Sequence, residues 1–138
     1  MDGDHRRRAI RILLAIAEPD TRSYVRRCLE LHDQEVDPIY ETSDGHRALE
    51  TLEGTPVDLI VAETGLPGLD GVELCRRIRM APRIRQTPIL LILSEPPTRE
   101  GEARATAAGA SAVLGRPFNA RGLCGLVDRL LRTRSPPP

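Results

Sequence analysis

VDLIVAETGLPGLDGVEL, residues 57–74, decides the fold. Residues 57–63 carry an apolar run with no polar alternation and end on Glu63. That is the pattern of a strand buried on both faces of a parallel sheet. The turn that follows, residues 65–71, holds two Gly-containing steps, Pro67-Gly68 and Asp70-Gly71, residue types that bend a chain for defined steric reasons. Asp70 and Gly71 are expected to finish the turn and cap a helix over 72–80, which stops before Pro82.

The same alternation extends in both directions. Toward the N-terminus, 10–17 is a near-continuous Ile/Leu/Ala run broken by Pro19, a second buried strand. Asp20 is placed to cap a helix over 20–33, with Val25, Cys28, Leu29 and His32 at helical spacing. Residues 35–41 form a short strand, and Pro38 puts it at a sheet edge. Asp44-Gly45 turns into a helix ending near Gly54. Toward the C-terminus, 88–93 is a fourth strand. An Ala-rich helix over 98–108 is ended by Gly109, and 110–114 is a fifth strand. Asn119 caps a last helix with Leu123, Leu126, Val127, Leu130 and Leu131 on one face. Five βα units specify a doubly wound α/β sandwich with right-handed crossovers. The expected strand order is 2-1-3-4-5, with any site at the carboxyl ends of the strands.

Bulk composition narrows the chemistry. The 138 residues suit one domain, here 10–132, flanked by a flexible basic tail over 1–9 and a Pro-rich tail over 133–138. Twenty basic and 20 acidic residues cancel, so charge gives no case for direct nucleic-acid or membrane binding. Every basic residue is Arg. The HRRR run at 5–8 reads as a disordered basic tail. Aromatics are limited to Tyr24, Tyr40 and Phe118, too few for a pocket that stacks a flavin or a base. Cys28, Cys75 and Cys124 each fall in a helical apolar pattern and read as buried free thiols of a reducing compartment. No Cys/His cluster suggests zinc, and His32 and His46 have no evident partner. The apolar run at 10–17 is too short to span a membrane, and a cytoplasmic location is expected.

Landmarks across 11–131 coincide with one family: ILLAIAEP, SDGHRALETL, LPGLDG, LILS and GASAVLGRPF. Together they resemble the receiver domains of bacterial two-component response regulators. The resemblance implies a flavodoxin-like (βα)5 fold and a cis peptide at Arg116-Pro117, the kind of bond where cis is least costly. It also implies an aspartate nucleophile, two acidic Mg²⁺ ligands after the first strand, a hydroxyl ending the fourth strand and a lysine ending the fifth. Here the phosphoacceptor position is Glu63, and the acidic pair falls on Ile16 and Ala17, which cannot ligate a hard cation. Glu18 comes one residue late. Ser94 keeps the hydroxyl, Arg116 replaces the lysine, and Val113 stands where the switch aromatic would be.

These substitutions imply a pseudo-receiver: no enzyme, no metal, no cofactor and no small-molecule substrate. It would act by phosphorylation-independent contact with a partner protein of a two-component pathway, or with a second copy of itself. Glu63 is either a built-in mimic of phosphoaspartate or the remnant of a lost site. An expected ion pair joins Glu63 to Arg116 beside Ser94. The expected contact surface is the helix 4–strand 5–helix 5 face, with Arg121, Asp128, Arg129 and Arg132 as candidates. Two alternatives stand beside this reading. One is a still-active phosphoacceptor using Glu63 or a neighbouring carboxylate such as Asp70. The other is a small flavodoxin-type cofactor binder, for which AEPDTRS (17–23) is a poor phosphate loop.

Overall fold

The strongest apolar runs of the chain lie side by side in the middle of one parallel sheet. The structure, a computed structural model, describes residues 9–32 and 35–133. The N-terminal tail with its HRRR run, Asp33 and the tail beyond 133 lie outside the described residues.

Five strands, β1 (Ile10–Ala15), β2 (Val36–Thr42), β3 (Leu59–Glu63), β4 (Ile89–Ile92) and β5 (Ala112–Leu114), alternate with α1 (Pro19–His32), α2 (Gly45–Gly54), α3 (Gly71–Met80), α4 (Arg99–Ala107) and α5 (Ala120–Thr133). All strand pairs are parallel, in the order β2-β1-β3-β4-β5. This is the flavodoxin-like receiver topology expected from the βα count.

Successive side chains of a strand point to opposite faces, and β1 divides accordingly. Ile12, Leu14 and Ile16 face a core built with Val25 and Leu29 of α1 and Leu123, Val127 and Leu130 of α5. Leu13 and Ala15 face the other core, with Leu52 of α2, Val72 and Ile78 of α3, and Ala105 of α4. Burial on both sides explains why β1, β3 and β4 carry no polar alternation. β2 is one of the two edge strands, where Pro38 is tolerated. The Asp37-Pro38 bond is cis, as is Arg116-Pro117. All three cysteines are buried and free.

All five helix N-termini are capped by side chains. Asp44, Asp70, Thr98 and Asn119 accept N–H groups of the first turns of α2, α3, α4 and α5. Gly109, expected to end α4, has φ +111°. The helix α1 departs from expectation. Its cap is Glu18, whose carboxylate accepts from Asp20 N–H at 3.0 Å and Thr21 N–H at 2.7 Å. Pro19 then occupies the first helical position, where its missing N–H is no loss, and Asp20 lies in the first turn.

Candidate functional site at the carboxyl edge of the sheet

The ends of β1, β3 and β4 converge on Glu63. Among the described residues it is the one buried polar or charged side chain, with 6% of its surface exposed. A carboxylate taken out of water must find donors. Oε2 accepts the Ala17 main-chain N–H at 2.7 Å, and Oε1 accepts the Ser94 hydroxyl at 3.0 Å. Ser94 Oγ in turn accepts the Gly65 N–H at 2.7 Å, and Ser94 N–H donates to Thr64 Oγ1 at 3.0 Å. Behind the strand end, the Gly71 N–H bonds Thr64 O at 3.0 Å. The chain passes so close there that a Cβ at Gly71 would lie 2.2 Å from the Glu63 carbonyl oxygen. Gly71 therefore fixes the entry of α3 against the end of β3.

Ile16 is fully buried in the α1/α5 core and Ala17 is half-buried. Glu18, nearest in sequence, is occupied as the cap of α1. Hydrogen bonds from the Thr21 hydroxyl, Asp20 N–H and Thr21 N–H, with the charge of Arg116, hold its pKa below the usual glutamate value. The Arg22 guanidinium ties this segment down, donating to Ile16 O at 2.7 Å and lying 3.4 Å from a Glu41 oxygen.

The expected Glu63–Arg116 ion pair does not form. Arg116 Nε donates to the Leu93 carbonyl at 3.1 Å, and its charge acts on Glu18. Both Glu63 oxygens are engaged by Ala17 and Ser94 instead. Val113 is half-buried in mid-strand, paired with Leu91 and packed on the α2/α3/α4 core. Asp70 caps α3 through Glu73 N–H at 2.8 Å, the turn-building role expected of it.

The chain matches the response regulator receiver domain family over residues 12–128. The chain belongs to that family. As a receiver of two-component signalling it is 33% identical over 112 residues to the phosphate regulon transcriptional regulatory protein PhoB of Rhizobium meliloti, covering 81% of this chain and 48% of PhoB. It therefore spans about half of that relative's length. It is 30% identical to the chemotaxis protein CheY-3 of Vibrio cholerae, covering 80% of this chain and 86% of CheY-3. The crystal structure of the chemotaxis response regulator CheY4 of Vibrio cholerae superposes with a TM-score of 0.78 at 26% identity, covering 88% and 98% of the two chains.

The residues of this receiver do not fit the divalent cation implied by the fold. A hard cation needs several oxygens in a fixed array. The two ligand positions carry a buried Ile16 and an Ala17 whose N–H already fills one face of the Glu63 carboxylate. Among the described residues, no three His, Cys, Asp or Glu side chains are placed to hold a metal ion.

The candidate contact residues of the receiver do not share one face. Arg121 and Asp128 line the groove between α1 and α5, away from the α4–β5 edge. Asp128 bonds His32 Nε2 at 2.9 and 3.0 Å, a partner for His32 that spacing in sequence could not reveal. Arg129 and Arg132 are exposed. Among the described residues, no helix is long and apolar enough to cross a membrane. Sequence reasoning also missed the Ala17 N–H, which has no side-chain signature. The Glu18 cap did have one, a carboxylate directly before a proline that opens a helix.

Proposed function

We propose that this receiver is a pseudo-receiver, a non-enzymatic cytoplasmic module that works by protein contact and is not gated by phosphorylation. The observation that carries this reading is the engagement of Glu63. Attack of a carboxylate on phosphorus brings anions together and needs a cation to offset the repulsion. Here the carboxylate oxygens are held by Ala17 N–H and Ser94 O–H, and the cation positions are Ile16 and Ala17.

The Ser94 contact supports the further reading of Glu63 as a fixed stand-in for phosphoaspartate. The extra methylene of glutamate carries a negative charge to the switch-position hydroxyl, so the charge a phosphoryl group would bring is already present. The module then rests permanently in one state and offers its surface to a partner of a two-component pathway or to a second copy. The α4–β5–α5 face, with Arg129 and Arg132, is the proposed contact surface; Arg121 and Asp128 belong to the α1–α5 groove instead. Reversing charge at Arg129 and Arg132 is expected to weaken partner capture or self-association while the unfolding transition stays in place. Capture should be the same with and without acetyl phosphate. Capture that requires acetyl phosphate contradicts the proposal.

A further inference from the structure

Two of the three cysteines lie together across the α1–α5 interface. Cys28 and Cys124 are 9% and 5% exposed and both line the groove between those helices. Cys124 Sγ lies 3.8 Å from the Cys28 carbonyl oxygen. The Cys124 sulfur thus rests against the main chain of Cys28, and both residues line the same groove. Cys75 is on α3, across the sheet in the other core, and cannot compete.

We propose that Cys28 and Cys124 are a modification site, a thiol pair that a small peroxide closes into a disulfide, stapling α1 to α5. The groove, about 620 Å³, gives a small oxidant its approach. At Gly125 there is open space where a side chain would stand. Tyr24 lines the same groove, and the neighbouring Cys28 raises its phenol's pKa.

The order of events follows from the surroundings. Cys28, the more exposed of the two at 9% against 5%, is the attacking sulfur. The Cys28 thiolate attacks one oxygen of hydrogen peroxide. An S–O bond forms, the O–O bond breaks, and hydroxide leaves to become water with the proton Cys28 gave up. Cys124 then attacks the Cys28 sulfenic acid. The S–S bond forms, the S–O bond breaks, and the departing hydroxide takes the Cys124 proton as a second water. Two thiols are oxidised by one electron each and one peroxide is reduced by two. Disulfides of a reducing compartment are typically transient, and this one would be reversed by dithiol reductant. Because the bridge joins residues 96 apart, it closes a long loop of the unfolded chain and should stabilise the oxidised fold.

The test treats the folded full chain with hydrogen peroxide, then blocks remaining thiols after unfolding. The expected product has lost the mass of two hydrogens, takes one blocking group, on Cys75, and yields a Cys28–Cys124 linked peptide. Its urea midpoint should lie above that of the reduced protein and return on reduction. The variants C28S and C124S should each lose the intramolecular product. Three thiols still blockable after peroxide, a bridge that includes Cys75, or bridges only between chains would each overturn the proposal.

Discussion

Glu63 keeps a charge inside the protein because two donors, one from β4's end and one from the main chain after β1, meet it there. Glu63→Gln keeps the shape and removes the charge. An amide nitrogen facing Ala17 would meet an N–H that cannot accept, and one facing Ser94 would turn the hydroxyl from donor to acceptor; in either case the charge-assisted bonds to the carboxylate are lost. The variant should lose roughly 1–3 kcal/mol of stability, read from urea unfolding with an unchanged slope. An unmoved midpoint would mean that the network contributes nothing to the fold. The identities of residues 16, 17 and 63 were legible in the sequence. The donor at Ala17 was not, because every residue except proline carries the same N–H. The error over Arg116 has a related cause: side-chain length says what a guanidinium can reach, while the Leu93 carbonyl that holds it belongs to the backbone.

Elements in this fold are held by polar groups at their ends as much as by apolar stripes. The cap of α1 depends on an ionised Glu18 whose pKa is lowered in the folded state from the ordinary 4.5. A lowered carboxyl pKa contributes stability that is fully present above the unfolded value and is lost as pH falls through the folded one. Glu18→Gln should therefore trail the parent protein in thermal midpoint at neutral pH, and the gap should close as pH falls below the ordinary 4.5 and through the lowered folded value. A gap that is constant from neutral to acid pH would contradict the cap. At the opposite end of the sheet, Arg79 of α3 binds Gly109 O at 2.9 Å, Arg85 O at 2.8 Å, Thr87 O at 2.6 Å and Ser111 Oγ at 3.1 Å. Burial draws its pKa down, so it is held by acceptors rather than by an opposite charge. Arg79→Met should cost about 2–3 kcal/mol in chemical unfolding, and Arg79→Lys should recover little, since one ammonium cannot span the fork. Helices and strands were legible from periodicity. This strut was not, because its acceptors are three carbonyls and a hydroxyl from two stretches of chain, 85–87 and 109–111, remote in sequence from one another.

The whole molecule follows from two-sided burial. Three central strands that are apolar on both faces require helices on both faces, and five βα units leave the 2-1-3-4-5 order. The carboxyl edge of that sheet is where receivers carry their chemistry, and here it is filled by a closed hydrogen-bond network around a glutamate. The partner and the surface that meets it lie beyond what sequence patterning encodes, because an exposed arginine on an interface and one on a solvated face have the same local signature. The network does make one sharp demand on the molecule as a whole. Incubation of the full chain with acetyl phosphate and Mg²⁺, followed by intact-mass analysis, should leave the mass unchanged. A stoichiometric gain of one phosphoryl group, mapped to Glu63 or Asp70, would contradict the account.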